Sequence, residues 1–256
     1  MDARLVAFER LLNIMDDLRA KCPWDKEQTM ETLRHLTIEE VYELGDAILA
    51  NNLEEVKKEL GDILLHIVFY SKIGSETNTF TITEVINEVC EKLIHRHPHI
   101  YGDVKVTGAE EVSQNWEQLK LKEGKKSVLE GVPNSLPSLV KSMRIQDKAR
   151  SAGFDWEEKE QVLDKVEEEL KELRVELRNG NNDKIKNEFG DLLFSLVNFS
   201  RFVNINPDEA LERTNRKFIA RFVYLEDAAR SLGKKLTDMS LAEMDVYWNE
   251  AKIKGL

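Results

Sequence analysis

Apolar residues recur every three or four positions along most of the chain, the period of helices that bury one face. Leu5, Phe8, Leu11, Leu12, Met15 and Leu18 make the first stripe, which Pro23 interrupts. The pattern predicts a helix over 29–50, a turn at Asn51-Asn52 and a helix from Leu53 to about Ile73. Thr81 or Thr83 caps the next helix, which runs to His95 and stops before Pro98. Residues 102–108 read as a loop and 109–122 as another amphipathic helix. Gly124, Gly131, Pro133 and Pro137 mark a linker over 123–137. After it the order repeats. Helices are predicted over 139–149, from about 158 to 178, over 183–204, and from Pro207 through Arg221 to Ser231, with a turn at 179–182. Gly153-Phe154-Asp155-Trp156 takes the place of Pro23-Trp24-Asp25.

The reading is therefore all-α, with two tandem duplicated helical-bundle domains, 1–122 and 138–256. Between 39–72 and 168–201, 12 of 34 positions are identical. Two copies make a duplication and not a solenoid, which needs at least three.

The duplicated stretch carries acids at fixed spacing. Glu39-Glu40-x-x-Glu43 precedes Glu59-Leu60-Gly61-Asp62, and 129 residues later Glu168-Glu169-x-x-Glu172 precedes Glu188-Phe189-Gly190-Asp191. Residues three and four apart share a helix face. Glu43 and Glu59 each lie about 10–12 Å from the turn between their helices, at ~1.5 Å per residue. An antiparallel hairpin brings them face to face, and the second copy does the same. Four or five carboxylates so gathered repel one another without cations. Oxygen-only donors select Mg²⁺, Mn²⁺ or Ca²⁺ over zinc or copper, and Mg²⁺ commonly shares its remaining positions with substrate phosphates. A solvated acidic face is the bland alternative. The exact recurrence, and the burial implied by the apolar runs around Asp62 and Asp191, argue against it.

Composition narrows the choice of partners. The 256 residues carry a net charge of −11, which disfavours nucleic acid. Few glycines and prolines (12 and 5) fit a helical chain. Cys22 and Cys90 form no CxxC pair and read as reduced thiols of a cytoplasmic protein. The most apolar run, 192–199, is far too short to span a membrane.

At these residues the chain resembles the MazG family of nucleoside triphosphate pyrophosphohydrolases in its two-domain form. The likeness includes Cys22-Pro23-Trp24-Asp25, Arg96-His97-Pro98-His99, Asn115-Trp116, Gly131-Val132-Pro133, Asn215-Arg216-Lys217-Phe218-x-x-Arg221-Phe222 and Trp248. The resemblance implies helical bundles that pair as homodimers and cleave NTPs, ATP among them, to NMP and pyrophosphate with Mg²⁺. It implies that Glu169, Glu172, Glu188 and Asp191 hold the metal, with Glu168 beside them. It implies that Lys184, Lys217 and Arg221 contact the triphosphate and Trp248 the base. Glu40, Glu43, Glu59 and Asp62, with Glu39 beside them, are the first-half counterparts, and Arg96 matches Arg221. The second half is the catalytic one by the same resemblance. Clearing noncanonical NTPs fits such an activity, although no residue specifies it.

Two other readings compete. One is a non-enzymatic nucleotide sensor or protein-interaction regulator on the same bundle. The other is a di-iron site, which needs a Glu-x-x-His motif that neither copy supplies. His95, His97 and His99 read as a helix end and turn. His66, Cys90 and Trp24 read as packing residues, and Trp156 as either a core or a base-stacking residue. Gly61 and Gly190, mid-helix beside the acids, predict a close approach of helices.

Overall fold

The structure is a computed structural model that describes residues 2–108, 111–112, 115–116, 119 and 127–256. Most of the helix predicted over 109–122, and 123–126 of the linker, lie outside the described residues. The chain divides into two compact units, Met1–Thr107 and Gly108–Leu256. Among the described residues every regular element is helical. None is long and apolar enough to cross a membrane.

The first unit holds α1 (Ala3–Lys21), α2 (Pro23–Glu27), α3 (Met30–Leu49), α4 (Leu53–Glu76), α5 (Ile82–Arg96) and α6 (Pro98–Tyr101). Pro23 and Pro98 do more than end the preceding helix. Each begins a short one, where the missing N–H costs nothing and the fixed φ suits the first turn. Thr29 caps α3 by a reciprocal box with Thr32: each side-chain oxygen accepts the other's backbone N–H, at 3.2 and 2.8 Å. Met15, Leu33, Val68, Phe69 and Ile73 form the core, buried between α1, α3 and α4.

The second unit holds α7 (Ser138–Ser151), α8 (Lys159–Asn179), α9 (Asn182–Phe202), α10 (Pro207–Ser231), a 3₁₀ turn (Leu236–Asp238) and α11 (Leu241–Ile253). The sequence reading did not anticipate α11. Its start is marked by Ser240 and Glu243, which cap each other. Val162, Leu173, Val197, Leu225, Ala229 and Ala251 are its buried apolar residues on these helices.

Both hairpins turn on residues that tolerate left-handed backbone. Asn51 (φ 53°) closes α3, and Gly180 (φ 71°) closes α8. Asn52 and Asn181 then cap the returning helices, accepting from Glu55 N (3.3 Å) and Lys184 N (3.2 Å). Because these turns set which carboxylates face each other, they are a sensitive place to perturb. Gly180→Ala is expected to cost about 1 kcal/mol, from the steric penalty of a Cβ at positive φ. The measurement is the urea midpoint, and Asn51→Gly should leave it unchanged or raise it.

Some packing expectations are overturned. Trp24 is 55 % exposed and Cys90 is exposed, so neither fills a core. The short α2 holds Trp24 outward while Asp25 turns in. Among the described residues a Cβ on Gly61 or Gly190 would meet nothing within 4 Å, so none of the described helices approaches closely there. His66 is buried as expected, with Nδ1 2.8 Å from Thr37 Oγ1.

Candidate active site

The α3–α4 and α8–α9 hairpins each gather three carboxylates. One oxygen from each of Glu40, Glu43 and Glu59 lies within 4.8 Å of the others, and Glu169, Glu172 and Glu188 meet the same description. Asp62 and Asp191 stand beside these groups, close enough for their charges to act on Glu40 and Glu188. Glu39 and Glu168 are exposed. No histidine joins either group among the described residues. His97 ends α5, its Nδ1 2.6 Å from Leu93 O.

The electrostatics bear the marks of cation sites. Burial, then the charges of Asp62 and Glu43 and a hydrogen bond with Glu59, raise the Glu40 carboxyl above its ordinary range. Partial burial, then Glu172 and Asp191, raise Glu188. Glu59 is 3 % exposed and its Oε2 has no hydrogen-bond partner. A buried carboxylate oxygen left unpaired is costly unless a cation completes it. The donor set is oxygen only, from carboxylates on two rigid helices. Both groups thus fit a hard divalent ion such as Mg²⁺.

A pH dependence follows. A carboxyl whose folded-state pKa lies above its unfolded value holds its proton more tightly in the folded protein. Its charged form therefore opposes folding at neutral pH, and that penalty disappears as pH falls through the raised pKa. Mg²⁺ needs the charged form, so protons compete with it. The rise in Tm on adding Mg²⁺ is expected to be large at about pH 7 and to shrink towards about pH 5. A rise independent of pH would contradict this account.

Lys165, absent from the sequence reading, stands directly against the second group. Its Nζ lies 2.9 Å from Glu168 Oε1 and 2.8 Å from Glu169 Oε1, which raises its pKa well above the usual lysine range. The signal was its position, three and four residues before the two acids. The matching first-half residue is Leu36. There Lys58 serves from the other helix, 3.1 Å from Glu59.

The other predicted cations are placed differently. Lys184 lies one helical turn before Glu188 and pairs with Glu176 at 3.7 Å. Arg221 and Trp248 meet each other across α10 and α11, the guanidinium 5.9 Å from the indole ring, and Phe218 packs on the same ring at 5.0 Å. Arg221 also donates to the Leu256 main-chain oxygen at 2.7 Å. Lys217 is exposed on α10, and Arg96 is half-buried at the end of α5. The hydrogen bonds and ring contacts just given tie Arg221 and Trp248 to each other's helices, and not to the carboxylates.

A cavity of about 620 Å³ opens against the second group and reaches Lys165, Glu169 and Asp191. Its wall is mostly apolar surface, and Phe154 and Trp156 are among the residues that line it. Such a size and lining suit a small organic ligand. In the first unit a cavity of about 160 Å³ is lined by residues of α1, α4 and the start of α5, and Glu40, Glu43, Glu59 and Asp62 are not among them.

Known proteins resemble this chain over nearly its whole length. It is 44 % identical over 252 residues to the nucleoside triphosphate pyrophosphohydrolase/pyrophosphatase MazG of Thermotoga maritima, covering 96 % of each chain. It is 38 % identical over 254 residues to the nucleoside triphosphate pyrophosphohydrolase of Escherichia coli K12, covering 96 % of this chain and 97 % of that one. A crystal structure of a mazG-related protein from Thermotoga maritima matches 44 % of this chain and 98 % of its own, at 29 % identity and a TM-score of 0.40. The family profile described as MazG nucleotide pyrophosphohydrolase domain matches residues 28–101 and again 157–237, spanning both carboxylate hairpins. The chain is thus an enzyme of the MazG nucleotide pyrophosphohydrolase family and carries that family's domain twice.

Proposed function

We propose that the second half hydrolyses nucleoside triphosphates between the α and β phosphates, giving NMP and pyrophosphate, with Mg²⁺ or Mn²⁺ held by Glu169, Glu172, Glu188 and Asp191. The observation that carries this reading is the cavity of about 620 Å³ opening on that carboxylate group. The bound ion neutralises phosphate oxygens and makes the attacking water more acidic. The chain's own residues supply the rest. Glu168 is exposed and anchored by Lys165, so its carboxylate is positioned to orient the water and take its proton. Lys165 compensates charge on Glu168 and Glu169 while the acids are crowded. Lys184, on the Glu188 face of α9, meets the outer phosphates as negative charge shifts to the leaving pyrophosphate. Lys217 and Arg221 are one turn apart on α10 and serve as further phosphate clamps.

The test is product identification from a panel of NTPs with and without Mg²⁺. Pyrophosphate and NMP in equal amounts are expected. Orthophosphate and NDP as products would overturn the assignment of the cleaved bond, and no product would overturn the activity.

The first half supports a second, non-catalytic reading, since His66 and Phe69 are buried at the positions where the second half has the cavity-lining Ser195 and Asn198. It then holds metal or nucleotide without turnover.

The proposal includes a homodimer. Leu163, Leu170 and Leu177 form an exposed stripe on α8, and Phe189, Leu193 and Leu196 one on α9. Leu60, Leu64 and Ile67 repeat the second stripe on α4. Exposed apolar faces of this kind seek a partner, and a second copy supplies a self-complementary one. Leu193→Glu is expected to shift the sedimenting species from dimer to monomer. An unchanged mass would remove this stripe from the interface.

A further inference from the structure

We propose that the cavity beside Glu169 and Asp191 is a nucleobase subsite, and that Gln146 reads the base by accepting one of its N–H groups. This rests on the triphosphate-cleaving reading of the same site.

The cavity exists because three bulky side chains of the first half are small or polar in the second. At the duplication spacing, His66 and Phe69 correspond to Ser195 and Asn198. Counting back from the paired Asp25 and Asp155, Arg19 corresponds to Ala149. In the first half Phe69 is 3 % exposed, His66 is buried, and the Arg19 guanidinium lies 5.6 Å from the Phe69 ring. In the second half Ala149, Ser195 and Asn198 line open space. One hairpin is thus filled behind its carboxylates and the other is hollow.

The hollow is shaped for a flat aromatic group. Phe154 is 85 % exposed and Trp156 44 %, both at the wall. Two large aromatics at the wall of one cavity offer ring faces on which a base can stack. At the inner wall Gln146 is only 5 % exposed. Its Nε2 donates to Phe194 O at 2.8 Å, which fixes the amide orientation. Its Oε1 is left buried without a partner. An acceptor held this way favours a ligand that brings a donor and penalises one that does not. Bases carry such donors on their pairing edge. Glu169 and Asp191 line the same cavity, so a base seated on Gln146 directs its phosphates towards the metal-holding carboxylates.

The test uses nucleoside monophosphates, which have no anhydride to cleave, so it reads the subsite whether or not the triphosphates are hydrolysed. Calorimetric titration compares AMP with purine riboside monophosphate, which lacks the exocyclic amine, and UMP with its 3-methyl derivative. The unaltered protein is expected to bind the donor-bearing member of at least one pair about tenfold or more tightly. Gln146→Leu is expected to erase that gap. Asn198→Phe, which copies the first half's Phe69, is expected to abolish binding of all four while the Mg²⁺-induced rise in Tm persists. Equal binding within both pairs, or a gap that survives Gln146→Leu, overturns the role of Gln146. Unchanged binding in Asn198→Phe overturns the subsite. If the subsite results hold and the NTP panel yields no pyrophosphate, the failure lies with the hydrolytic reading alone.

Discussion

Glu172→Ala is expected to lower pyrophosphate release by roughly 10³-fold or more, while Glu43→Ala leaves it within about twofold. The two residues occupy matching positions on α8 and α3, and each lies within 4.8 Å of two other carboxylate oxygens. What separates them is the space behind. Glu172 belongs to the group that opens on the large cavity, whereas in the first half His66 and Phe69, the counterparts of the cavity-lining Ser195 and Asn198, are buried. Loss of a metal-holding carboxylate removes charge stabilisation that matters most as the anhydride breaks, so the fall should appear in kcat and kcat/KM together. Folding does not explain it in advance. Glu172 is one of the charges that raise the Glu188 carboxyl, so its removal relieves repulsion in the metal-free protein. The metal-free Tm of Glu172→Ala should equal or exceed that of the parent, and its rise with Mg²⁺ should be smaller. Equal loss in both variants would instead make the halves equivalent sites. Full turnover by Glu172→Ala would end the assignment of the second group as catalytic.

The carboxylate hairpins were legible in the sequence because helical spacing is a rigid rule. Residues three, four and seven apart must share a face, and the short turns at 50–52 and 180–181 leave little freedom in register. Burial of Glu59 and Glu169 follows from the apolar neighbours on their faces. The cavity was not legible. It depends on Ala149, Ser195 and Asn198, three ordinary residues that become informative only when set against Arg19, His66 and Phe69 in the folded first half. Trp24 and Trp156 show the same limit. An aromatic beside a proline or glycine turn can face either way, and the backbone of that turn decides which. The expected helix contact at Gly61 and Gly190 failed for a related reason. A glycine records that a side chain is missing there, not what stands opposite, and opposite these two the described residues place nothing within 4 Å. Where Lys217, Arg221 and Trp248 lie relative to the acids depends on how α10 and α11 pack, which spacing within one helix does not fix.

Arg201→Ala is expected to destabilise the second unit by roughly 2–3 kcal/mol and to raise KM with a smaller change in kcat. Arg201 stands near the end of α9, and its guanidinium ties together two walls of the cavity. Nη2 donates to Asp155 Oδ1 at 2.6 Å, and Nε and Nη2 reach Asn198 Oδ1 at 3.1 and 2.6 Å. The Asp155 Oδ1 also accepts the Trp156 backbone N–H at 3.0 Å. One charge-assisted cluster therefore fixes the loop that presents Phe154 and Trp156 to the cavity. Arg201 and Asp155 side chains are 15 % and 23 % exposed, so alanine leaves a largely desolvated carboxylate unpaired. The carboxylates on α8 and α9 do not depend on this loop, which is why binding should suffer more than the chemical step. Lysine should not rescue it. A single ammonium lacks the planar fork that spans Asp155 and Asn198, and Lys72, at the matching first-half position, pairs instead with Asp16 at 2.6 Å. Urea unfolding and steady-state kinetics on Arg201→Ala, Arg201→Lys and Asp155→Asn check this. If Arg201→Lys restores both stability and KM, the cluster acts through net charge alone and the loop is not held by its geometry.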